Sequence, residues 1–297
     1  MSLIDQLKYQ FNTGGTYLKI IYINVGVFIV FLLLNVFSAL MKASSVIDLV
    51  PLFELNSSPS IFLFRPWTFI SYMFVHLSIG HLFWNMILYF FAGRIFEDLL
   101  GKKAALNTYL IGGAFAGLIY VVTYNIFPLY RDLPYNSPVI GASGAVMAIF
   151  VALATYTPNY EAYFFGVLKV KLKYLAIAFV VIDVLGVANT GDRVAHFAHI
   201  GGAIWGYLFA VNIKKGKDIS TIITSPLSGL KKLFTKKKIK IVYKKSNNQK
   251  KSKPKTSDDT IIRQEKVDAI LDKIKASGYD SLSKEEKDYL FNASKNI

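Results

Sequence analysis

The residues of this chain that could carry out chemistry are four histidines and one serine, set among long apolar stretches. His76 and His81 lie in the motif HLSIGHLFWN, His196 and His199 lie in HFAHIGGAIWG, and Ser143 lies in GASG. A serine hydroxyl is a weak nucleophile until a neutral imidazole takes its proton, and the same imidazole can then protonate a leaving amine. This set predicts hydrolysis by a nucleophilic Ser143, with His199 as general base and acid.

Long apolar segments must position these side chains. The chain of 297 residues is 53% hydrophobic and 15% aromatic, and its apolar residues form runs close to the roughly 20 residues that a spanning helix needs. Polar residues inside such runs are costly and are therefore candidates for function. The pattern predicts an all-α polytopic membrane protein, a bundle of six transmembrane helices. These predicted helices cover residues 20–41, 79–100, 104–125, 141–157, 172–189 and 196–213.

The lysines near the helix ends predict the orientation. Cytoplasmic flanks carry the excess of Lys and Arg, and here such residues precede the first helix, lie between the second and third and between the fourth and fifth, and follow the sixth. Both termini are therefore predicted to be cytoplasmic, and Ser143, His81 and His199 all lie at outward helix ends. We expect an integral protein of a bacterial inner (plasma) membrane whose active site opens to the outer side.

Small residues predict how Ser143 and His199 meet. They recur every four positions on the fourth and sixth helices, and such stripes let helix backbones approach closely in a membrane. The stripes consist of Gly144, Ala148 and Ala152 on the fourth helix, and of Gly202 and Gly206 on the sixth. Close packing of these helices would place Ser143 beside His199.

Donors for a developing oxyanion are present near the serine. His81 and Asn85 are four residues apart on the second helix, so their side chains share one helical face. The backbone N–H of Ser143, at a helix N-terminus, and Gly141 complete the predicted oxyanion site. A serine–histidine dyad needs no aspartate to orient its base, and Asp183, deep in the fifth helix, is left outside the predicted site.

Four motifs together indicate a family. They are HLSIGHLFWN (76–85), GRIFEDLLG (93–101), GASG (141–144) and HFAHIGGAIWG (196–206). In this order and spacing they resemble the rhomboid family over about residues 20–213. The resemblance implies an intramembrane serine protease with a Ser143–His199 dyad, an oxyanion site of His81 and Asn85, and a water-filled cavity open to the outer side. It also implies that the substrates are transmembrane segments of membrane proteins, cleaved near the outer face.

One position departs from the family pattern. Many rhomboids have an aromatic residue four positions after the serine, stacked on the catalytic histidine, whereas this chain has Met147. A methionine can still pack against an imidazole. We therefore expect Met147 to be the place where the positioning of His199 differs from that in other members.

Several polar residues also have structural interpretations. Ser143 and His199 could serve only in helix packing, as polar residues in membranes often do. His81 and Asn85 could simply cap the second helix. The dyad does not need the two remaining histidines, and we expect both to hydrogen-bond loop backbone. Glu97, at the cytoplasmic end of the second helix, is expected to be structural.

Two other functions are alternatives to the protease. Four histidines from two helices resemble a metal-ligand cluster, as in a metal site or a transporter. A bound metal, however, would leave the placement of Ser143 between glycines unexplained. The second alternative is a catalytically inactive relative that binds membrane proteins, and the presence of both Ser143 and His199 argues against it. The sequence predicts no cofactor and no metal.

The net charge of +15 belongs to the C-terminal part of the chain. Residues 214–256 contain 15 Lys and one Asp, while residues 257–297 contain seven Lys and Arg against nine Asp and Glu. This Lys-rich linker is expected to contact anionic lipid headgroups, and no nucleic-acid partner is predicted. Beyond it, helical periodicity, a stop at Gly278 and a capping box of Ser283 and Glu286 predict a small cytoplasmic helical hairpin for docking or assembly.

The predicted organisation therefore has four parts, and we expect no signal peptide because the N-terminal residues are mixed and polar. The parts are a cytoplasmic N-terminus (1–19), the six-helix domain (20–213), the Lys-rich linker (214–256) and the hairpin tail (257–297).

Overall fold

The chain divides into two compact units, Met1–Lys236 and Lys237–Ile297. The computed structural model describes residues 2–42, 46–131, 138–164, 168–188, 195–221 and 258–294. Most of the Lys-rich linker therefore lies outside the described residues.

Six apolar helices of the larger unit coincide with the predicted ones. In chain order the unit contains α1 (Leu3–Thr13), α2 (Thr16–Leu40), a 3₁₀ segment (Val46–Leu52), β1 (Leu55–Asn56), α3 (Pro59–Phe62), α4 (Thr68–Ser71), a 3₁₀ turn (Tyr72–Phe74), α5 (Ile79–Leu100), α6 (Lys102–Ile126), α7 (Pro128–Arg131), β2 (Pro138–Val139), α8 (Ser143–Tyr156), β3 (Glu161–Phe164), β4 (Leu168–Lys171), α9 (Leu172–Gly186) and α10 (His196–Lys214). Helices α2, α5, α6, α8, α9 and α10 begin and end within four residues of the predictions.

The membrane character of the bundle is clear from its longest helices. Among the described residues, three helices (α2, α5 and α6) are long and apolar enough to cross a membrane, and α8 is a shorter apolar helix. A mostly helical membrane fold is thus confirmed, whereas the count of six spans stays a prediction. The all-α prediction needs one change, because β1 pairs with β2 and β3 pairs with β4, both antiparallel. Strands this short leave little periodicity in a sequence, so the pairing was not predicted.

Helix α8 lies at the centre of the bundle, and residues 144–154 are all buried. It packs against α5, α6, α9 and α10. A Cβ atom on Gly202 would overlap the carbonyl oxygen of Gly144, and one on Gly206 would overlap that of Ala148. The prediction that stripes of small residues bring α8 and α10 into close contact is therefore confirmed.

The N-terminus of α2 is capped from another helix. The Oε2 atom of Glu97, near the end of α5, accepts a hydrogen bond from the backbone N–H of Tyr17 at 3.1 Å. This N–H belongs to the first turn of α2, where donors have no partner within the helix and an anion is favourable. The structural role expected for Glu97 is confirmed.

The long connection between α2 and α5 is held together by side-chain bonds to one stretch of backbone. Arg65 and Trp67 each donate to carbonyl oxygens of residues 51–52 at 2.7 Å, and Ser71 donates to the Phe53 carbonyl at 2.8 Å. Trp67 remains half-exposed. The placement of this connection in the membrane interface stays a prediction.

The smaller unit contains the helices predicted for the tail. They are α11 (Asp258–Ser277), a 3₁₀ turn (Tyr279–Ser281) and α12 (Lys284–Ser294). Gly278 follows α11 with φ of +76°, a conformation that favours glycine. Before α12, the Ser283 N–H donates to Glu286 Oε2 at 2.8 Å, and the Glu286 N–H donates to Ser283 Oγ at 3.3 Å. The predicted helix stop and the predicted capping box are both confirmed.

Candidate active site

Ser143 is the first residue of the buried helix α8, and the turn before it requires a glycine. Gly141 has φ of +108°, which side chains rarely tolerate. A Cβ atom on Gly141 would also lie only 2.5 Å from Cε1 of His81. The backbone N–H of Gly141 donates to the Tyr72 carbonyl at 2.8 Å. Gly141 therefore leaves space for the His81 ring, and its N–H is already bonded. Its part in the predicted oxyanion site stays a prediction.

His76 supports the same turn. It is 1% exposed, and its Nε2 accepts a hydrogen bond from the backbone N–H of Ala142 at 3.2 Å. Burial, and then the neighbouring His81, lower the pKa of His76 to about 4. The neutral ring keeps the lone pair that this bond requires. The expectation that His76 binds loop backbone is confirmed.

His81 and Asn85 lie one turn apart on α5. The backbone N–H of His81 is bonded by Ser78 Oγ, the N-cap of α5, at 3.2 Å. Asn85 is buried, and its Nδ2 donates to the His81 carbonyl at 2.9 Å, which occupies one of the two amide hydrogens. The structure brings the His81 ring to the glycine turn before Ser143 and places Asn85 deeper in the bundle.

His199 lies in α10, in the turn that faces the start of α8. A Cβ atom on Gly144 would lie 3.3 Å from the carbonyl oxygen of Ala198, closer than most Cβ contacts, so little space separates the backbones next to the serine and the histidine. Within the described ranges no hydrogen bond joins Ser143 Oγ to His199. Catalytic hydrogen bonds often tighten only when substrate is bound, and the dyad stays a prediction.

Asp183 contacts the predicted base directly. Its Oδ1 lies 2.8 Å from Nδ1 of His199 and 2.8 Å from Nδ1 of His196, and the residue is only 5% exposed. The sequence analysis left Asp183 outside the predicted site, and the structure places it in contact with the predicted base. His196 was expected to bond loop backbone, and its contact with this carboxylate was not foreseen. The bond to loop backbone stays a prediction. A signal was present in the sequence, because a carboxylate in an apolar helix needs a partner and two histidines three apart share a helical face.

Met147 lies in the buried core of the bundle, on the same helix as Ser143. It belongs to the hydrophobic cluster that also contains Ala198. Its effect on His199 stays a prediction.

The same three polar side chains have the composition of a metal site. The ligand atoms of Asp183, His196 and His199 lie within 4.8 Å of one another. Both imidazole nitrogens are, however, at hydrogen-bonding distance from one carboxylate oxygen. That arrangement also suits a carboxylate that accepts two N–H donors, without any ion.

Fold and site together define the class of protein: a mostly helical integral membrane protein with serine and histidine at adjoining helix ends. Comparison with known proteins gives its family. The model of the Rhomboid domain matches residues 64–215, and a family of unknown function matches residues 254–296. The chain belongs to the rhomboid family.

Relatives in three organisms show the extent of the similarity. The chain is 30% identical over 161 residues to RHOMBOID-like protein 12, mitochondrial, of Arabidopsis thaliana, covering 50% of this chain and 47% of that protein. It is 30% identical over 167 residues to Rhomboid-related protein 1 of Caenorhabditis elegans, covering 52% and 43%. It is 32% identical over 138 residues to Presenilin-associated rhomboid-like protein A, mitochondrial, of Danio rerio, covering 45% and 34%. The chain thus spans less than half the length of these relatives.

Proposed function

We propose that this chain is an intramembrane serine endopeptidase that hydrolyses peptide bonds in or near transmembrane segments of membrane proteins. Membership of the rhomboid family supports intramembrane proteolysis as the class of activity. The observation that carries the serine mechanism is the contact between α8 and α10. It puts the residue after Ser143 against the carbonyl oxygen of the residue before His199.

In the proposed reaction, His199 takes the hydroxyl proton as Ser143 Oγ attacks the carbonyl carbon of the scissile bond. The tetrahedral oxyanion is stabilised by the Ser143 backbone N–H and by the side chains of His81 and Asn85. Each such donor typically lowers the barrier by roughly 2.7 to 4 kcal/mol. His199 then gives the proton to the leaving amine as the C–N bond breaks, and water hydrolyses the acyl-enzyme by the same proton transfers.

A cleavage assay with a matched control tests the mechanism. Purified protein is mixed with a model transmembrane substrate, and we expect Ser143→Ala and His199→Ala each to abolish cleavage. The control is Ser38→Ala, which removes another buried serine hydroxyl, on α2, and should retain activity. A fluorophosphonate probe should label the unmodified protein at Ser143. Normal cleavage by either site variant would refute the mechanism.

A metal-dependent function is the second candidate, and the cluster of Asp183, His196 and His199 favours it. Chelator treatment distinguishes the serine protease from the metal-dependent function. Cleavage that survives the chelator but requires Ser143 supports the serine protease. Cleavage or transport that the chelator removes supports the metal. If the protein neither cleaves nor reacts with the probe, the inactive binding relative is the correct alternative.

For the membrane placement we propose six spans with both termini cytoplasmic, in a bacterial inner membrane, and an active site that opens to the outer side. The Lys-rich flanks support this orientation. We further propose the division into residues 1–19, 20–213, 214–256 and 257–297, with anionic lipid headgroups as partner of the Lys-rich linker. The word mitochondrial in two relatives' names describes those proteins.

The orientation can be tested with single cysteines, because the chain has none. Lys103→Cys, between α5 and α6, should be protected from an impermeant maleimide in intact cells, and Ser60→Cys should be labelled. Both positions are exposed in the fold. The opposite labelling would reverse the proposed topology.

A further inference from the structure

We propose that Asp183 is a positioning residue that holds the imidazole of His199 in the tautomer that can activate Ser143. This inference rests on the proposed function, since a base is needed only if Ser143 is the nucleophile. The contact that carries it is the 2.8 Å distance between Asp183 Oδ1 and His199 Nδ1.

The atom that Asp183 contacts decides which nitrogen of His199 is basic. A neutral imidazole has one N–H and one lone pair. A carboxylate accepts hydrogen bonds only, so the hydrogen is held on Nδ1 and the lone pair is left on Nε2, available for the serine proton. When His199 becomes an imidazolium during the reaction, the same carboxylate stabilises the new positive charge. The contact thus serves both the resting base and its protonated form.

The surroundings of Asp183 are built to keep the carboxylate in place. A buried carboxylate is costly in an apolar helix unless it is hydrogen-bonded, and Asp183 is 5% exposed in α9. Its Oδ1 also lies 2.8 Å from Nδ1 of His196, three residues before His199 on α10. Two donors from one helical face therefore hold a single oxygen atom.

Gly186 provides the room for the second donor. It lies three residues after Asp183 on α9, and a Cβ atom there would overlap Cε1 and Nε2 of His196. One face of α9 thus presents a carboxylate and then a gap that an imidazole fills. Asp183 and Gly186 thus act together: the carboxylate accepts the hydrogen bond, and the missing side chain leaves space for the His196 ring.

The kinetic test uses the isosteric variant Asp183→Asn. An amide keeps the size of the side chain but has no charge and offers His199 an N–H as well as a carbonyl. We expect kcat to fall by about 10²-fold or more, the usual contribution of a positioned base, with little change in KM. The matched control is Glu97→Gln, which neutralises another buried carboxylate that touches no histidine in the described contacts. It should leave kcat unchanged.

The spectroscopic test needs no substrate. The chain has four histidines, so a spectrum of ¹⁵N-histidine-labelled protein is simple enough to assign by single substitutions. In the unmodified protein we expect His199 to carry its hydrogen on Nδ1. In Asp183→Asn an Nε2–H population should appear, and in Glu97→Gln it should not. Thermal unfolding of both variants identifies any loss of activity that comes from a loss of folded protein.

Three results would contradict this inference, and they are distinguishable from failure of the proposed function. If Asp183→Asn keeps both kcat and the His199 tautomer while Ser143→Ala abolishes cleavage, the positioning role is wrong and the protease stands. If a chelator changes the tautomer in the unmodified protein, a metal holds His199 instead of the carboxylate. If the unmodified protein does not cleave and the probe does not label Ser143, the proposed function fails, and this inference fails with it.

Discussion

The two seams that α10 makes with its neighbours differ in what holds them together. The seam with α8 contains small residues whose backbones touch, Gly202 against the Gly144 carbonyl and Gly206 against that of Ala148. The seam with α9 contains a buried carboxylate that accepts from two imidazoles. The first is determined by shape and brings the predicted nucleophile and base together. The second is determined by charge and hydrogen bonding and orients the base. The proposed mechanism depends on both seams.

The largest expected effect comes from adding one methyl group to the seam between α8 and α10. In Gly202→Ala the new Cβ atom would overlap the carbonyl oxygen of Gly144, so the helices must move apart. We expect a destabilisation of about 1 to 3 kcal/mol, the usual cost of overpacking, and loss of most cleavage activity. Thermal unfolding in detergent and the cleavage assay measure the two effects.

The control for this substitution is Gly26→Ala in α2, where a Cβ atom would meet nothing within 4 Å. It should be neutral or slightly stabilising, because alanine favours helix over glycine. Equal behaviour of the two variants would mean that backbone contact does not determine the seam.

A smaller effect is expected from Gly186→Ala in the seam between α9 and α10. The new methyl group displaces the ring of His196 and removes one of the two donors to Asp183, while the bond to His199 is kept. Because one donor remains, we expect kcat to fall by roughly tenfold, the lower end of the effect of a supporting partner. Melting temperature should change less than in Gly202→Ala. An unchanged kcat would show that His196 plays no part in holding the carboxylate.

The buried carboxylate that caps α2 offers a third comparison. Glu97→Gln weakens the bond to the Tyr17 N–H and removes the negative charge from the helix N-terminus. We expect a loss of stability of about 1 kcal/mol, as for other helix caps, and an unchanged kcat. Thermal unfolding and the cleavage assay separate these two quantities. A large fall in kcat would mean that burial of a carboxylate anywhere in the bundle, and not its contact with His199, controls activity.

The smallest effect is expected for an ion pair outside the bundle. Lys273 Nζ lies 2.9 Å from Glu286 Oε1, and the pairing with Lys273 lowers the pKa of Glu286. Because the folded pKa is below the unfolded value, the stabilisation is present above the unfolded pKa and is lost as the pH falls through the folded one. Amide protection of α12 in the full chain, corrected for intrinsic exchange rates, should be lower at about pH 3 than at about pH 6. Glu286→Gln should show a smaller pH difference, and an equal one would exclude this carboxyl as the cause.

Much of the fold follows from local patterns in the sequence. The six helices lie within four residues of the predicted positions, because a long apolar run in a membrane must satisfy its backbone as a helix. The contact of α8 with α10 was predictable, because a stripe of small residues lets two helix backbones approach closely. The capping box of Ser283 and Glu286 was predictable because all its atoms lie within four residues.

The site was only partly predictable. The motifs place Ser143, His81 and His199 at neighbouring helix ends, and the structure agrees with that placement. The contact of Asp183 with His199 was missed, because it depends on how α9 is rotated relative to α10. The carboxylate shows which face of α9 needs a partner, but it does not show which neighbouring helix supplies that partner.

The sequence by itself therefore determined which segments become helices, which of them approach most closely, and where the serine lies at a helix start. These are properties of one segment or of one stripe of residues. Only the tertiary structure decided which polar atoms meet: Glu97 at the Tyr17 N–H, His76 at the Ala142 N–H, and Asp183 between two imidazoles. The physical reason is that a hydrogen bond depends on distance and angle between specific atoms, and those are set by the packing of whole helices.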